Sequence, residues 1–183
     1  MNRFRAVLIA ALRRTIPNSD GVAAVEFALL APVLIALFFG TIEIANGFQC
    51  RRQVVAMATT AADLVAQSTQ LNNSDEANIF SALISILYPN TTSSASIILT
   101  SIIDNGKGGY AVAWSDAQNG TPHPVGSTMA VPAGLIPSSG SVILAEVTYT
   151  YHSPTSVTIT GPITFSTSAY SAPRLSSQVA RVP

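Results

Sequence analysis

The longest apolar run in the chain extends from Val22 to Phe48 and follows a basic segment. These 27 residues would form a helix about 40 Å long at ~1.5 Å per residue. That length exceeds the roughly 30 Å hydrocarbon core of a bilayer. Pro32 lies inside the run, where lipid-embedded helices tolerate proline, and it predicts a kink. The pattern therefore predicts a leader over residues 1–21 and one transmembrane helix over residues 22–48.

Apolar side chains continue beyond this run at spacings of three and four residues, as they do on one face of a helix. The stripe comprises Val54, Met57, Ala58, Ala61, Leu64 and Val65. We expect a stem helix over residues 49–70 whose stripe packs against the rest of the protein. A separate amphipathic helix is predicted over residues 74–87, with Ser74 as its N-cap and Asp75 and Glu76 in its first turn.

From residue 96 onward the composition shifts to Ser, Thr, Val, Ile, Gly and Pro, which is typical of strands and turns. The predicted strands cover residues 96–103, 109–115, 141–153, 155–160 and 163–170, and residues 117–140 are a predicted loop. The expected fold class is α+β, with a small antiparallel sheet and one or two packed helices after the membrane segment and its stem. We expect this last domain to span residues 71–183 and, from about Ser68 onward, to fold without the anchor.

The charged residues are few and unevenly placed. They make up 10% of the chain, against roughly 25% in an average soluble protein, and a net charge of zero gives no global field that would attract nucleic acid. Four of the nine basic residues lie in the first 14 positions, namely Arg3, Arg5, Arg13 and Arg14. The positive-inside rule then predicts a cytoplasmic N-terminus and a periplasmic C-terminal domain. Arg51 and Arg52 weakly oppose this orientation.

The pattern of reactive residues does not favour an active site. There are two histidines, and no His/Cys/Glu cluster has metal-ligand spacing. A serine triad with His152 and either Asp104 or Asp116 remains a remote alternative, since triads are recognised by geometry that a sequence does not fix. We expect a protein that is not an enzyme and that holds no metal or cofactor.

Cys50 is the single cysteine, which excludes an intrachain disulfide framework. Its favoured interpretation is a small residue near the membrane boundary. The alternative is an intermolecular disulfide in an oxidising compartment.

Glu26 places a carboxylate at the leading end of the apolar run, as the fifth residue after Gly21. A charge at the centre of a spanning helix costs roughly 2.5–3.5 kcal/mol on insertion scales, so such acids usually have a partner. One interpretation is that Glu26 lies at headgroup level and extends into water. The other is that the chain is cut after Gly21, so that a new amino group at Val22, about one helical turn away, offsets the carboxylate.

The stretch GVAAVEFALLAPVLIALFFGTIEIANGF resembles the TadE/TadG-like family of minor pseudopilins from the tight-adherence (Tad/Flp) pilus system, within the type IV pilin class. The resemblance consists of Gly21, then Ala-Val-Glu-Phe-Ala-Leu, then a proline and a Leu-rich run that ends in Gly and Glu. EVTYTYHSP and AYSAPR are weaker likenesses to the C-terminal strands of the same proteins. The chain departs from the pattern at Val22, where many type IV pilins have Phe, and at Asp20, where basic residues are common.

This resemblance implies cleavage between Gly21 and Val22 by a cytoplasm-facing prepilin peptidase, with Val25 and Phe27 flanking Glu26 in the processing motif. It also implies that Glu26 pairs with the Val22 amine of its own or a neighbouring subunit during assembly of an adhesive pilus. The implied partners are the peptidase, other pilus subunits, Tad assembly-platform proteins and the lipid bilayer, with no nucleic acid. The implied location is the bacterial inner membrane, as a single-pass protein that stays there or enters the fibre. The alternative is a generic signal-anchored surface or periplasmic ligand-binding protein.

Overall fold

The protein is built on one long helix, α1, which covers Ser19–Ala66. The computed structural model describes residues 19–137, 139–157 and 159–183, so the four basic residues of the leader lie outside the described residues. The helix has 48 residues and passes through Pro32 without ending. It joins the predicted transmembrane and stem segments into one element, and it confirms the long apolar helix at the N-terminal end of the fold.

A four-stranded antiparallel sheet follows in the order β3-β2-β4-β5. Its strands are β2 (Ala95–Asp104), β3 (Tyr110–Gln118), β4 (Ser141–Tyr151) and β5 (Ile163–Ser171). Two short strands, β1 (Gln70–Leu71) and β6 (Ala180–Arg181), pair in parallel and join the C-terminal segment to the end of the stem. The α+β prediction is confirmed.

Helix α2 covers Asn73–Ser85 and carries Asp75 and Glu76 in its first turn, as predicted. The prediction of Ser74 as its N-cap was wrong. The cap is Asn72, whose side-chain oxygen accepts a hydrogen bond from the Asp75 amide at 2.8 Å. Asn is as good a cap as Ser, and Asn72 keeps the extended backbone with which the chain leaves β1, so the helix begins two residues earlier than the sequence indicated.

The main core lies between the C-terminal part of α1 and one face of the sheet. The predicted stripe is buried, except that Leu64 is half-buried, and Cys50, Ala62 and Ala66 extend it. These side chains face a cluster on the sheet that includes Ile97, Leu99, Ile143, Ala145, Val147 and Tyr149. Helix α1 supplies one wall of this core. We therefore no longer expect the domain to fold from Ser68 onward by itself, and we expect it to need the C-terminal part of α1.

The other face of the sheet is covered at one end by the predicted long loop. A smaller buried cluster there joins Ile102, Val142 and Leu144 to Ile136 of the loop. The loop is also tied to the edge of β3, where the Val112 amide donates to the Ser127 carbonyl at 3.0 Å. The loop therefore acts as a second, partial layer.

The C-terminal segment closes the molecule against α1, α2 and β3. Arg181 donates to Asp116 and to Glu76, each at 2.6 Å, and the indole of Trp114 donates to the Val179 carbonyl at 2.8 Å. Arg174 forms an ion pair with Asp63 near the end of α1. These contacts fix the stem relative to the sheet.

Candidate functional site

The predicted processing motif lies in the first turns of α1, where the peptide between Gly21 and Val22 is already helical. Gly21, Val22, Val25, Glu26 and Phe27 are all exposed. A spacing of four residues places Glu26 above Val22 on the same helix face, about 6 Å farther along the axis. Within the described part of the chain, Glu26 makes no ion pair. The structure therefore leaves this carboxylate available to a partner that the folded domain does not provide.

The apolar part of α1 around this motif has no cover from the rest of the described chain. Its most apolar 18-residue window has a mean hydropathy of 2.5, and none of that window is buried. A fully exposed apolar helix of this length is compatible with single-pass membrane anchoring. The part of α1 that carries the processing motif thus differs from the stem part, which is a wall of the core.

A second acid on α1, Glu43, is completely buried. Its carboxylate accepts at least three hydrogen bonds from the segment between β4 and β5. The Thr155 hydroxyl donates at 2.5 Å, and the amides of Val157 and Ile159 each donate at 2.7 Å. Backbone and hydroxyl donors stabilise a buried carboxylate, so Glu43 fastens this loop to the helix.

The loop that binds Glu43 includes a segment predicted to be a strand, residues 155–160. That prediction was wrong for the described residues 155–157 and 159–160, because β4 ends at Tyr151 and β5 begins at Ile163; residue 158 lies outside the described residues. Ser156 has a left-handed backbone (φ 50°), and its hydroxyl donates to the Ser153 carbonyl at 2.8 Å. This turn precedes the amides of Val157 and Ile159, which point at the carboxylate instead of at a neighbouring strand.

Tyr151 lies where β4 meets this loop. Its side chain is buried, and burial raises the pKa of the phenol, with smaller contributions in the same direction from Cys50 and from the Glu43 carboxylate. The phenol is therefore neutral at physiological pH.

A groove of about 230 Å³ runs between α1 and β5 beside the same loop. Ile44, Gly47 and Phe48 line it from the helix, and Ile159, Ile163 and Phe165 line it from the loop and β5. Arg51 is the charged residue among those that line it. Ile44 and Phe48 remain largely exposed, so the apolar surface of the N-terminal segment continues into the groove.

The structure does not bring the remote triad together. Asp104 ends β2 at the opposite end of the sheet from His152, since Ala95 of β2 pairs with Tyr149. Amide donation from Gly106 and Ser139 lowers the pKa of Asp104, and Asp116 is engaged with Arg181. Cys50 is fully buried in the core, which favours its interpretation as a small packing residue over an intermolecular disulfide.

One comparison with known proteins bears on this helix. Residues 21–63 match the family model described as TadE-like protein. The match begins at the glycine of the processing motif and ends at Asp63, which pairs with Arg174. It confirms the resemblance to the TadE/TadG-like family, and it covers both the exposed part of α1 and the part that packs on the sheet. No curated protein and no solved structure matches the chain.

Sequence reasoning missed the role of Glu43 as a buried acceptor. The available signal was the same one that drew attention to Glu26, a carboxylate within an apolar helix that requires donors. The segment SPTSVTIT offers hydroxyls, but its alternation of polar and apolar residues favoured a strand. Only the tertiary structure shows that this segment supplies the donors.

Proposed function

We propose that the protein is a minor pseudopilin that acts as a structural and assembly component of an adhesive Flp-type pilus. The TadE-like match suggests involvement in a Tad pilus system. The observation that carries the finer proposal is Glu26, an exposed carboxylate without an ion-pair partner in the described chain, four residues after Val22 on the matched helix. In this proposal the protein is not an enzyme, and its work is done by contacts between subunits.

Processing is the first step of the proposed function. A prepilin peptidase removes residues 1–21, and the new α-amino group at Val22 then lies one turn from Glu26. Opposite charges that pair in a low-dielectric interface avoid the penalty that each suffers alone. One helical turn separates the two positions, so Glu26 can reach the amine of its own chain, and in an assembled fibre it can pair instead with the amine of a neighbouring subunit.

The proposed topology is that of a single-pass inner-membrane protein with a cytoplasmic N-terminus and a periplasmic sheet domain. Its support is the basic leader and the exposed apolar helix. The proposed partners are the prepilin peptidase, other pilus subunits and the proteins of the Tad assembly platform.

The test is Glu26→Gln in the native host, with the mature N-terminus determined by sequencing or intact mass. We expect a chain that begins at Val22 and remains in the membrane, while pilus production and co-purification with other pilus components fall. Glu26→Asp keeps the charge and should restore part of the assembly. Glu43→Gln is not a suitable control, because Glu43 is buried and holds the β4–β5 loop.

Two results would contradict the proposal. A mature chain that keeps residues 1–21 in a host with an active peptidase would exclude pilin-like processing and favour a signal-anchored ligand-binding protein. Normal assembly of Glu26→Gln would show that Glu26 is only an interfacial acid.

A further inference from the structure

The groove beside the Glu43 loop occupies a defined height along α1. About 33 Å of helix separate Gly21 from Glu43, and about 45 Å separate Gly21 from Arg51, at ~1.5 Å per residue. A bilayer has a hydrocarbon core of about 30 Å and a total thickness of about 40–45 Å. If Gly21 lies at the outer edge of one headgroup layer, Glu43 lies near the far boundary of the hydrocarbon and Arg51 lies at the outer edge of the far headgroups.

The chemistry of the groove matches this position. Its floor is apolar and continues the exposed apolar surface of α1, as hydrocarbon chains require. Arg51 stands on the headgroup side of Gly47 and Phe48. Neither Arg51 nor its neighbour Arg52 forms an ion pair with a described residue. The nearby acid, Glu43, accepts hydrogen bonds from the loop between β4 and β5.

We propose that this groove binds one anionic phospholipid, with an acyl chain against Phe48 and Ile163 and its phosphate at Arg51. A guanidinium donates well to phosphate oxygens, and the long side chain of Arg51 can extend along the helix to reach headgroup level. The lipid completes a surface that the protein leaves open between α1 and β5. It also holds the sheet domain at a fixed height on the membrane, where the Glu43 loop meets the lipid boundary. The inference requires that α1 is a membrane anchor, and it is independent of the role of Glu26.

The two adjacent arginines provide a matched pair for the test. Arg51 lines the groove and Arg52 does not, although both are exposed and carry the same charge. The test is native mass spectrometry of the full-length protein, released from a mild detergent with added phosphatidylglycerol or phosphatidylcholine. One cationic side chain near an anionic surface corresponds to about fivefold in affinity. We expect Arg51→Gln to weaken phosphatidylglycerol binding by about fivefold and Arg52→Gln to change it by less than about twofold.

Gly47→Leu tests the apolar part of the groove without removing a charge. A Cβ atom at Gly47 would have no heavy atom within 4 Å outside its own helix backbone, and leucine favours helices more than glycine does. The variant should keep the melting temperature of the wild type but lose retention of both lipids, because its side chain fills the groove.

Three results would overturn the inference. Equal losses in Arg51→Gln and Arg52→Gln would mean that the lipid is attracted by charge alone. Unchanged lipid retention in Gly47→Leu would exclude the groove. A two-chain species that Gly47→Leu abolishes, with lipid binding intact, would show that a second copy of the protein occupies the groove. Pilus assembly is measured in both Arg51→Gln and Glu26→Gln. Lipid binding by Arg51→Gln tests this inference and assembly in Glu26→Gln tests the proposed function, so one can fail while the other stands.

Discussion

At the scale of single residues, the two acids of α1 have opposite environments. Glu26 is exposed on a helix with no cover from the described chain, whereas Glu43 is buried and accepts hydrogen bonds from a loop more than one hundred residues away in sequence. A buried carboxylate without donors would be strongly unfavourable. Glu43 and its loop therefore stabilise each other, and each depends on the other to keep its position.

We expect Glu43→Gln to lower the stability of the protein by about 1–3 kcal/mol, because an amide has one accepting oxygen and its NH₂ group would face an N–H donor. The loop between Tyr151 and Ile163 should become accessible to protease. The measurements are limited proteolysis and thermal melting of the full-length protein in detergent. Glu26→Gln is the control and should melt as the wild type does. Equal melting temperatures for the two variants would mean that the Glu43 hydrogen bonds contribute nothing to stability.

At the scale of elements, α1 has two environments along a single uninterrupted helix. Its N-terminal part is exposed and apolar, and its C-terminal part contributes Cys50, Val54, Met57 and further small residues to the core. The remaining elements, α2 and the sheet, do not bury their apolar faces without it. Helix α1 thus combines an exposed apolar segment, which is compatible with a membrane anchor, with a wall of the domain.

We expect a fragment of residues 68–183 to show no cooperative melting transition, because it lacks the α1 wall and exposes the face of β4 and β5 that α1 covers. A fragment of residues 42–183 keeps Glu43 and the whole buried stripe, and it should melt cooperatively. Circular dichroism during heating distinguishes the two. A cooperative transition in the shorter fragment would show that the sheet domain folds by itself.

At the scale of the whole molecule, Arg181 joins parts of the chain that are distant in sequence. It donates to Asp116 on β3 and to Glu76 on α2, and its side chain is about one-fifth exposed. It also donates to the Leu71 carbonyl at 3.3 Å. The C-terminal strand therefore depends on a cation between two acids that would otherwise repel each other.

We expect Arg181→Met to lower stability by about 2 kcal/mol at neutral pH, as loss of a partly buried cation leaves two carboxylates close together. Burial and Asp116 raise the pKa of Glu76, and Arg181 opposes them, so the substitution raises this pKa further. A carboxyl group whose pKa is higher in the folded state than in the unfolded state costs stability as the pH rises through that interval. The deficit of Arg181→Met should therefore shrink as the pH falls into the acid range.

Urea denaturation at neutral pH and at about pH 4.5, near the ordinary range of glutamate, measures this change. Arg174→Met is the control, since the Arg174 side chain is 60% exposed and exposed ion pairs contribute at most about 1 kcal/mol. The same deficit in both variants, or a deficit for Arg181→Met that grows in acid, would contradict the account.

The sequence by itself determined the elements whose signals are local. The apolar run and the stripe after it predicted the two parts of α1, since burial on one helix face repeats every three or four residues. Four of the five predicted strands are present, because alternation and turn residues also act over short distances. The motif that contains Gly21 and Glu26 could be recognised for the same reason, because it lies within seven consecutive residues.

Only the tertiary structure decided the contacts between distant segments. Residues 155–160 have the alternation of a strand, yet the described residues 155–157 and 159–160 form a loop, because the Glu43 carboxylate, more than one hundred residues earlier in the chain, accepts from the amides of Val157 and Ile159. The same holds for Asn72, which becomes the N-cap of α2 because β1 ends next to it. The core boundary likewise falls inside α1 and not after it, since the stripe shows that a face is buried but not what buries it. A hydrogen bond or a packed face belongs to two segments at once, and local periodicity describes only one of them.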